Sequence, residues 1–335
     1  MVIIANNLVK SKIRIALIYK NSYPAFQPDF FEKSSYDFFL KSLRRNKRLE
    51  ISYLGIDGDY FDTSKIRGAC DIILLANNYI SATPENLVGI TKSDIPVICR
   101  TADPHYARRL NQIKYHEKWK IDCYFGTIPS SYFYRYYPQN FVYKEIIFGL
   151  EPSHYLGLRP FKDRIGDRIL NSGNVGKLST KSRLANAILN PKRSAWYFYK
   201  LRTICNKLDY VDHSGMKGNK YVNDDYPTYL SRYRSAIAAT TWYPTQKYWE
   251  IPAAGCLTFM EITNRNDSYY LGFKDNETAI FINEKNYKKR FEEFLNDPDN
   301  PNWEQIANAG KEYVMHNLTN DVAVEKLIDL MNDFI

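Results

Sequence analysis

No apolar run in this 335-residue chain approaches the roughly 18–20 residues of a membrane-spanning helix. The opening MVIIANNLVK has no basic stretch ahead of a long apolar one, so no export signal is expected. Cysteine is sparse and scattered (Cys70, Cys99, Cys123, Cys205, Cys256), with no CxxC pair. That argues against a disulfide scaffold or a zinc ribbon and predicts free, buried thiols in a reduced, cytoplasmic compartment. The five histidines form neither HExxH nor a Cys/His ligand spacing, so no metal site is expected. GxSxG, GxxxxGK[ST] and GxGxxG are also missing. A serine nucleophile elbow, a P-loop and a dinucleotide fingerprint are therefore unsupported.

What is present is a globular composition, 44% apolar and 25% charged, with 28 tyrosines. The length suits two domains better than one core. The net charge of +9 is unevenly spread: residues 1–150 carry +7, residues 151–250 carry +9 and residues 251–335 carry −7. A basic middle before an acidic end suggests an anion-binding region followed by a solvated helical segment; a generally basic proteome explains the same numbers. The basic first part also favours a peripheral encounter with an anionic membrane surface. The segment IPSSYFYRYYP (128–138) has one arginine among five aromatic rings, a thin footprint for a phosphate backbone, so no nucleic acid partner is expected.

The first half alternates apolar, β-rich runs with helix-length segments: 13–20, 49–56, 70–77, 95–101, 121–127 and 141–149, with helical spacing over 29–45. Runs buried on both faces and spaced this way predict a parallel sheet with helices on either side. Residues 151–166 break the rhythm with Gly, Pro and charge and read as a linker. The pattern restarts over 167–319, with strands at 167–171, 208–215, 235–241, 257–262 and 278–283, and helices near 286–296 and 302–316. The expectation is an α/β chain of two Rossmann-like, doubly wound domains, 1–150 and 167–319, facing a cleft, with a final helix over 320–335. Such sheets bind ligands at their C-terminal edges, so function is expected in the loops after strands.

Four such loops carry chemistry. After the strand at 167–171, Ser172 and Gly173 turn the backbone tightly, and Lys181 and Arg183 enter the next helix. This is either a phosphate cradle or an ordinary strand-to-helix turn with a solvated basic helix. His213 closes the strand at 208–215, where it either meets a ligand or is simply exposed. Asp103 and His105 follow the strand at 95–101; they could orient or deprotonate a hydroxyl, or form an Asp-Pro turn that caps the next helix. In KYWEIPAAGCLTFME (247–261), Lys247 and Glu250 share a face of a short helix expected over 246–254 and ended by Gly255. Glu250 is either half of a surface pair or a carboxylate able to accept two hydrogen bonds from a diol. Pro252 lacks the N–H that would bond the Tyr248 carbonyl and is expected to kink this helix.

With KYWEIPAAGCLTFMEI the chain resembles the GT-B glycosyltransferases, and more narrowly the group-1-type enzymes related to bacterial spore-maturation proteins, which carry an FE-x-x-A-x-G segment. The likeness continues through 270–317 and upstream through YPTYLSRYRSAIAATT, SGN…KSR and TADPH. It implies a glycosyltransferase that takes its sugar from a nucleotide diphosphate sugar bound mainly by the second domain, with no other cofactor and no metal. The sugar would pass to an unidentified hydroxyl acceptor, glycan, lipid-linked or small molecule. Glu250 would hold the donor ribose, and Lys181, Arg183 and Lys247 would face the diphosphate. Ser172, Gly173, His213 and Gly255 complete the expected donor side. Asp103 or His105 would serve as base if the reaction inverts, and the last helix would pack back towards the first domain. Many retaining relatives carry a second glutamate eight positions before the first; here that position is Trp242. A catalytically inactive GT-B-shaped binding protein is the alternative.

Overall fold

The computed structural model describes residues 12–27, 35–176, 180–181, 184, 188, 195–214 and 225–335. Its first sheet has six parallel strands in the order β2-β1-β4-β6-β7-β8. These are β1 (Ile13–Lys20), β2 (Leu49–Ile56), β4 (Ile72–Leu75), β6 (Val97–Arg100), β7 (Cys123–Gly126) and β8 (Tyr143–Glu145). β1 pairs on both sides, Ile15 lying opposite Ile51 and Ile72. Alternate side chains of these strands enter different cores, as the period of two requires. Ile15, Leu17, Leu74, Ile98 and Phe125 face one cluster, and Ala16, Ile18, Ile73, Val97, Cys99 and Tyr124 face the other.

A second sheet repeats the logic in the order β10-β9-β11-β12-β13. Its strands are β9 (Ile169–Ser172), β10 (Val211–Ser214), β11 (Ser235–Ala238), β12 (Leu257–Glu261) and β13 (Ile280–Ile282), all parallel. Leu170, Ala236, Ala238 and Met260 face one core; Ile169, Ile237, Leu257, Phe259 and Ile280 face the other. Both sheets are doubly wound. Each has one place where the strand order reverses, between β1 and β4 in the first and between β9 and β11 in the second, and this is where open α/β sheets hold ligands.

The segment between the sheets carries only 3₁₀ turns, at Pro152–Tyr155 and Phe161–Asp163. The last helix, Asn320–Asn332, puts Ala323, Val324, Leu327, Ile328 and Met331 into a core of the first sheet. It is tied there by Arg45 to Asp321 (2.7 Å) and Arg48 to Glu325 (2.5 Å), and by the Gly149 N–H donating to Asn320 Oδ1 (2.7 Å).

Two local features differ from the sequence expectation. Of the helix read over 29–45, residues 29–34 lie outside the described residues, and Phe38–Ser42 is a π-turn running into Leu43–Arg45. The wider turn, closed by the Leu43 N–H on the Phe38 carbonyl, sets Phe38 and Phe39 side by side in one core, where Phe38 stacks on Phe148 at 5.0 Å. The second feature is a small parallel pair, β3 (Tyr60–Asp62) with β5 (Asn86–Val88). Three residues are too few to show a period, which is why it is invisible in the sequence.

Candidate active site

Between the two sheets' C-terminal edges lies a cleft of about 430 Å³. The second domain supplies Ser172, Gly173 and Asn174 after β9, Ser214 at the end of β10, Tyr243 to Gln246 after β11, and Lys247, Trp249 and Glu250 from the helix Lys247–Ala253. Phe198, Tyr199, Arg202 and Tyr226 complete that wall, and the first domain adds Asp103, Thr127 and Ile128. An aromatic seam holds the domains together beside it: Tyr243 packs on Tyr132 (4.8 Å) and Phe198 (5.0 Å). The Tyr270 hydroxyl donates to the Thr127 carbonyl (2.5 Å), and the Ser131 hydroxyl to Asp267 (2.6 Å).

The centre of the second-domain wall is positively charged. Lys247 Nζ donates to Tyr226 Oη (2.8 Å) and Ser172 Oγ (3.3 Å), and those two hydroxyls share a 2.6 Å hydrogen bond. Arg202, only 1% exposed, comes from the helix Lys200–Cys205. Its guanidinium donates to the Asn171 side chain (2.8 Å) and the Ser172 carbonyl. Among the described residues neither cation has a carboxylate partner. Burial, reinforced by Arg202, pushes the Lys247 ammonium down to about 8, with Glu250 opposing. Burial likewise lowers Arg202 from its ordinary value. Two desolvated cations with no carboxylate in ion-pair contact among the described residues present the charge that a phosphate group can meet.

Gly173 makes this geometry possible. Its φ of +88° is in the left-handed region, and a Cβ there would stand 2.8 Å from Lys247 Cε. The imidazole of His213, itself exposed, meets the Gly173 carbonyl at 3.0 Å, so this histidine braces the turn instead of lining the cleft.

Glu250 lines the cleft one turn along the helix from Lys247 and makes no hydrogen bond or ion pair among the described residues. Lys247 Nζ hydrogen-bonds to Tyr226 and Ser172, and Lys247 and Glu250 form no direct ion pair. Burial raises the Glu250 carboxyl, with Lys247 opposing. The helix runs on through Pro252 to Ala253. Gly255 follows it at φ +70°, buried, its carbonyl accepting from Arg164 (2.8 Å); it ends the helix outside the cleft.

On the opposite wall Asp103 is exposed to the cleft and makes no capping hydrogen bond with its side chain. His105 turns away into the ring cluster, 4.1 Å from Tyr106 and 6.3 Å from Tyr243. Lys181 is exposed and does not line the cleft, and Arg183 lies outside the described residues. Trp242 packs on Tyr197 (5.3 Å) and under the Arg135 guanidinium (5.6 Å).

Sequence reasoning missed Arg202 and Tyr226. Arg202 did leave a signal: with Phe198 and Cys205 it forms an i, i+4, i+7 series, which places a cation on the core side of an otherwise amphipathic stretch. Tyr226 left none, because its role depends on a hydroxyl meeting Lys247 across the fold.

Along almost its whole length the chain matches solved glycosyltransferases. A glycosyltransferase from Rickettsia africae covers 96% of this chain and 98% of its own at 12% identity, with a TM-score of 0.52. An α-glucosyltransferase in complex with UDP-glucose and DNA containing an abasic site covers 96% and 100% at 10% identity and 0.57. The Anabaena HepE protein, in complex with UDP and glucose, covers 96% and 100% at 8% identity and 0.55. The fold is GT-B. Residues 186–329 of this GT-B chain also match the glycosyl transferase-like family. No curated protein matches the sequence. In the GT-B frame the cleft lies between the two Rossmann-like domains, and Lys247, Glu250 and Arg202 fall inside the family match. Among the described residues no three His, Cys, Asp or Glu side chains are grouped to hold a metal ion, and no helix is long and apolar enough to cross a membrane.

Proposed function

We propose that this protein is a glycosyltransferase that moves a sugar from a nucleotide diphosphate sugar to a hydroxyl acceptor. The observation that carries this reading is the pair of desolvated cations, Arg202 and Lys247, with no carboxylate in ion-pair contact among the described residues, at the strand reversal of the second sheet. Arg202 and Lys247 bind the donor diphosphate, Ser172 and Tyr226 fix the Lys247 ammonium, and Glu250 accepts hydrogen bonds from the ribose hydroxyls.

In transfer, the acceptor oxygen bonds to the anomeric carbon while the bond from that carbon to the phosphate oxygen breaks. The electron pair leaves with the nucleoside diphosphate, whose added charge meets the two cations. The acceptor proton goes to the Asp103 carboxylate if the reaction inverts. Because side chains supply this positive charge, transfer is expected to survive chelation of divalent ions. The neighbours solved with UDP or UDP-glucose make uridine nucleotides the first donors to test.

Calorimetric titration with UDP, GDP and ADP, followed by donor turnover, tests the proposal. At least one nucleotide should bind, and Glu250→Ala should abolish turnover while leaving the melting temperature near that of the parent. Absence of binding by every nucleoside diphosphate would refute it. Trp242, at the place where many retaining enzymes have a second glutamate, favours one rival, a GT-B-shaped protein that binds nucleotide without transfer. Binding with no turnover of any donor would select that rival.

A further inference from the structure

The first sheet has its own strand reversal, between β1 and β4, and an unusual arginine stands one strand away. Arg100 ends β6 and is half-buried, its guanidinium 4.3 Å from the ring centre of Tyr36, 5.4 Å from Phe148 and 6.0 Å from Phe39. Its Nε and Nη1 are buried with no hydrogen-bond acceptor. Among the described residues no carboxylate pairs with it. A desolvated guanidinium is normally matched by an anion, and among the described residues ring faces and hydroxyls meet it.

Those hydroxyls converge. Tyr23 donates to Tyr36 (2.9 Å) and accepts from Tyr79 (3.2 Å) and from the Asn77 amide (3.3 Å). Tyr79, half-buried, follows β4 at the C-terminal edge of this sheet, the edge that also carries Asp103 after β6. Burial raises this phenol, and the charges of both Arg100 and Asp103 act on it. A rigid planar fork, a hydrogen-bonded tyrosine set and the cleft carboxylate Asp103 thus share one sheet edge.

We propose that Arg100, with the hydroxyls of Tyr36 and Tyr79, binds a phosphate or carboxylate group on the acceptor, so that the substrate handed to Asp103 is an anionic molecule. The planar guanidinium suits two parallel hydrogen bonds to either anion, and the rings that flank it set its plane in advance. The assignment of Arg100 to the acceptor rests on the glycosyltransferase reading; the anion site itself does not.

The test is calorimetric titration of the full chain at fixed ionic strength with glucose 6-phosphate, glucuronate and methyl glucoside. It is run with the donor site filled by UDP and, separately, in a Lys247→Ala background that removes competing anion binding there. Glucose 6-phosphate or glucuronate should bind and methyl glucoside should not; whichever anion is tighter tells phosphate from carboxylate. Arg100→Gln should weaken that binding at least tenfold with UDP affinity unchanged, and Arg100→Lys should fall between. Should Arg100→Gln fail to fold, Tyr79→Phe keeps the ring and should weaken the anion several-fold at an unchanged melting temperature. The proposal is overturned if no anion binds, if methyl glucoside binds equally, or if the Arg100 variants melt lower yet bind anions as the parent does. Failure of UDP, GDP and ADP alike to bind refutes the glycosyltransferase reading alone, since the Lys247→Ala arm still reports on Arg100.

Discussion

At the scale of single residues, Lys247 joins the charge of the site to the pH at which it works. Burial holds its folded pKa at about 8 against an ordinary 10.5. Between those values the unfolded chain keeps a proton that the folded protein has released, so this group makes stability rise with pH across that window. Under the proposed function diphosphate binding has the opposite sign, because it would need the ammonium, and should weaken as pH rises through about 8. Parallel melting and nucleotide titrations from pH 7 to 10 should therefore diverge, and Lys247→Arg, which stays charged, should flatten the binding curve. Lys247→Ala at pH 7 should cost about 10–100-fold in nucleotide affinity, the worth of one charge-assisted hydrogen-bond set of roughly 1.5–3 kcal/mol. Lys247 and Glu250 could be chosen from the sequence because a short helix after a strand displays them together. Arg202 could not be chosen as readily, since a cation inside an apolar helix face resembles an ordinary surface residue until the sheet is placed behind it.

Among elements, the turn after β9 is the most constrained. Gly173→Ala would put a methyl group against Lys247 Cε at a left-handed φ. The expected cost is about 1–3 kcal/mol of stability, seen as a lower melting temperature, together with weaker nucleotide binding because the lysine must move. Wild-type affinity in that variant would show that Lys247 does not act from this position. The strands themselves were legible: IRIALIYK and LTFMEI are apolar on both faces, and only a parallel sheet with helices on each side buries such runs. The loops were half legible. Asp103 and His105 are neighbours in the sequence and looked like a pair, yet a 3₁₀ turn at Pro104–Tyr106 sends one to the cleft and the other into tyrosines. A backbone rotation of that size leaves no trace in composition or spacing.

For the molecule as a whole, the last helix decides where the first domain ends. Asn320–Asn332 fills a core built from residues 13–148, and Arg45 also meets Glu151 at 2.9 Å, fastening the crossing point. A chain stopped at residue 319 should lose cooperative melting and expose apolar surface to a hydrophobic dye, whereas the full chain should melt cooperatively. An unchanged melting curve would mean that the helix is an accessory. During synthesis the consequence concerns timing. The first domain leaves the ribosome with an open groove on one side of its sheet, and the piece that closes it is made only after the second domain. Until then, through the whole translation of the second domain, the core residues that the helix later covers stay open to water, a place for a chaperone to hold the chain.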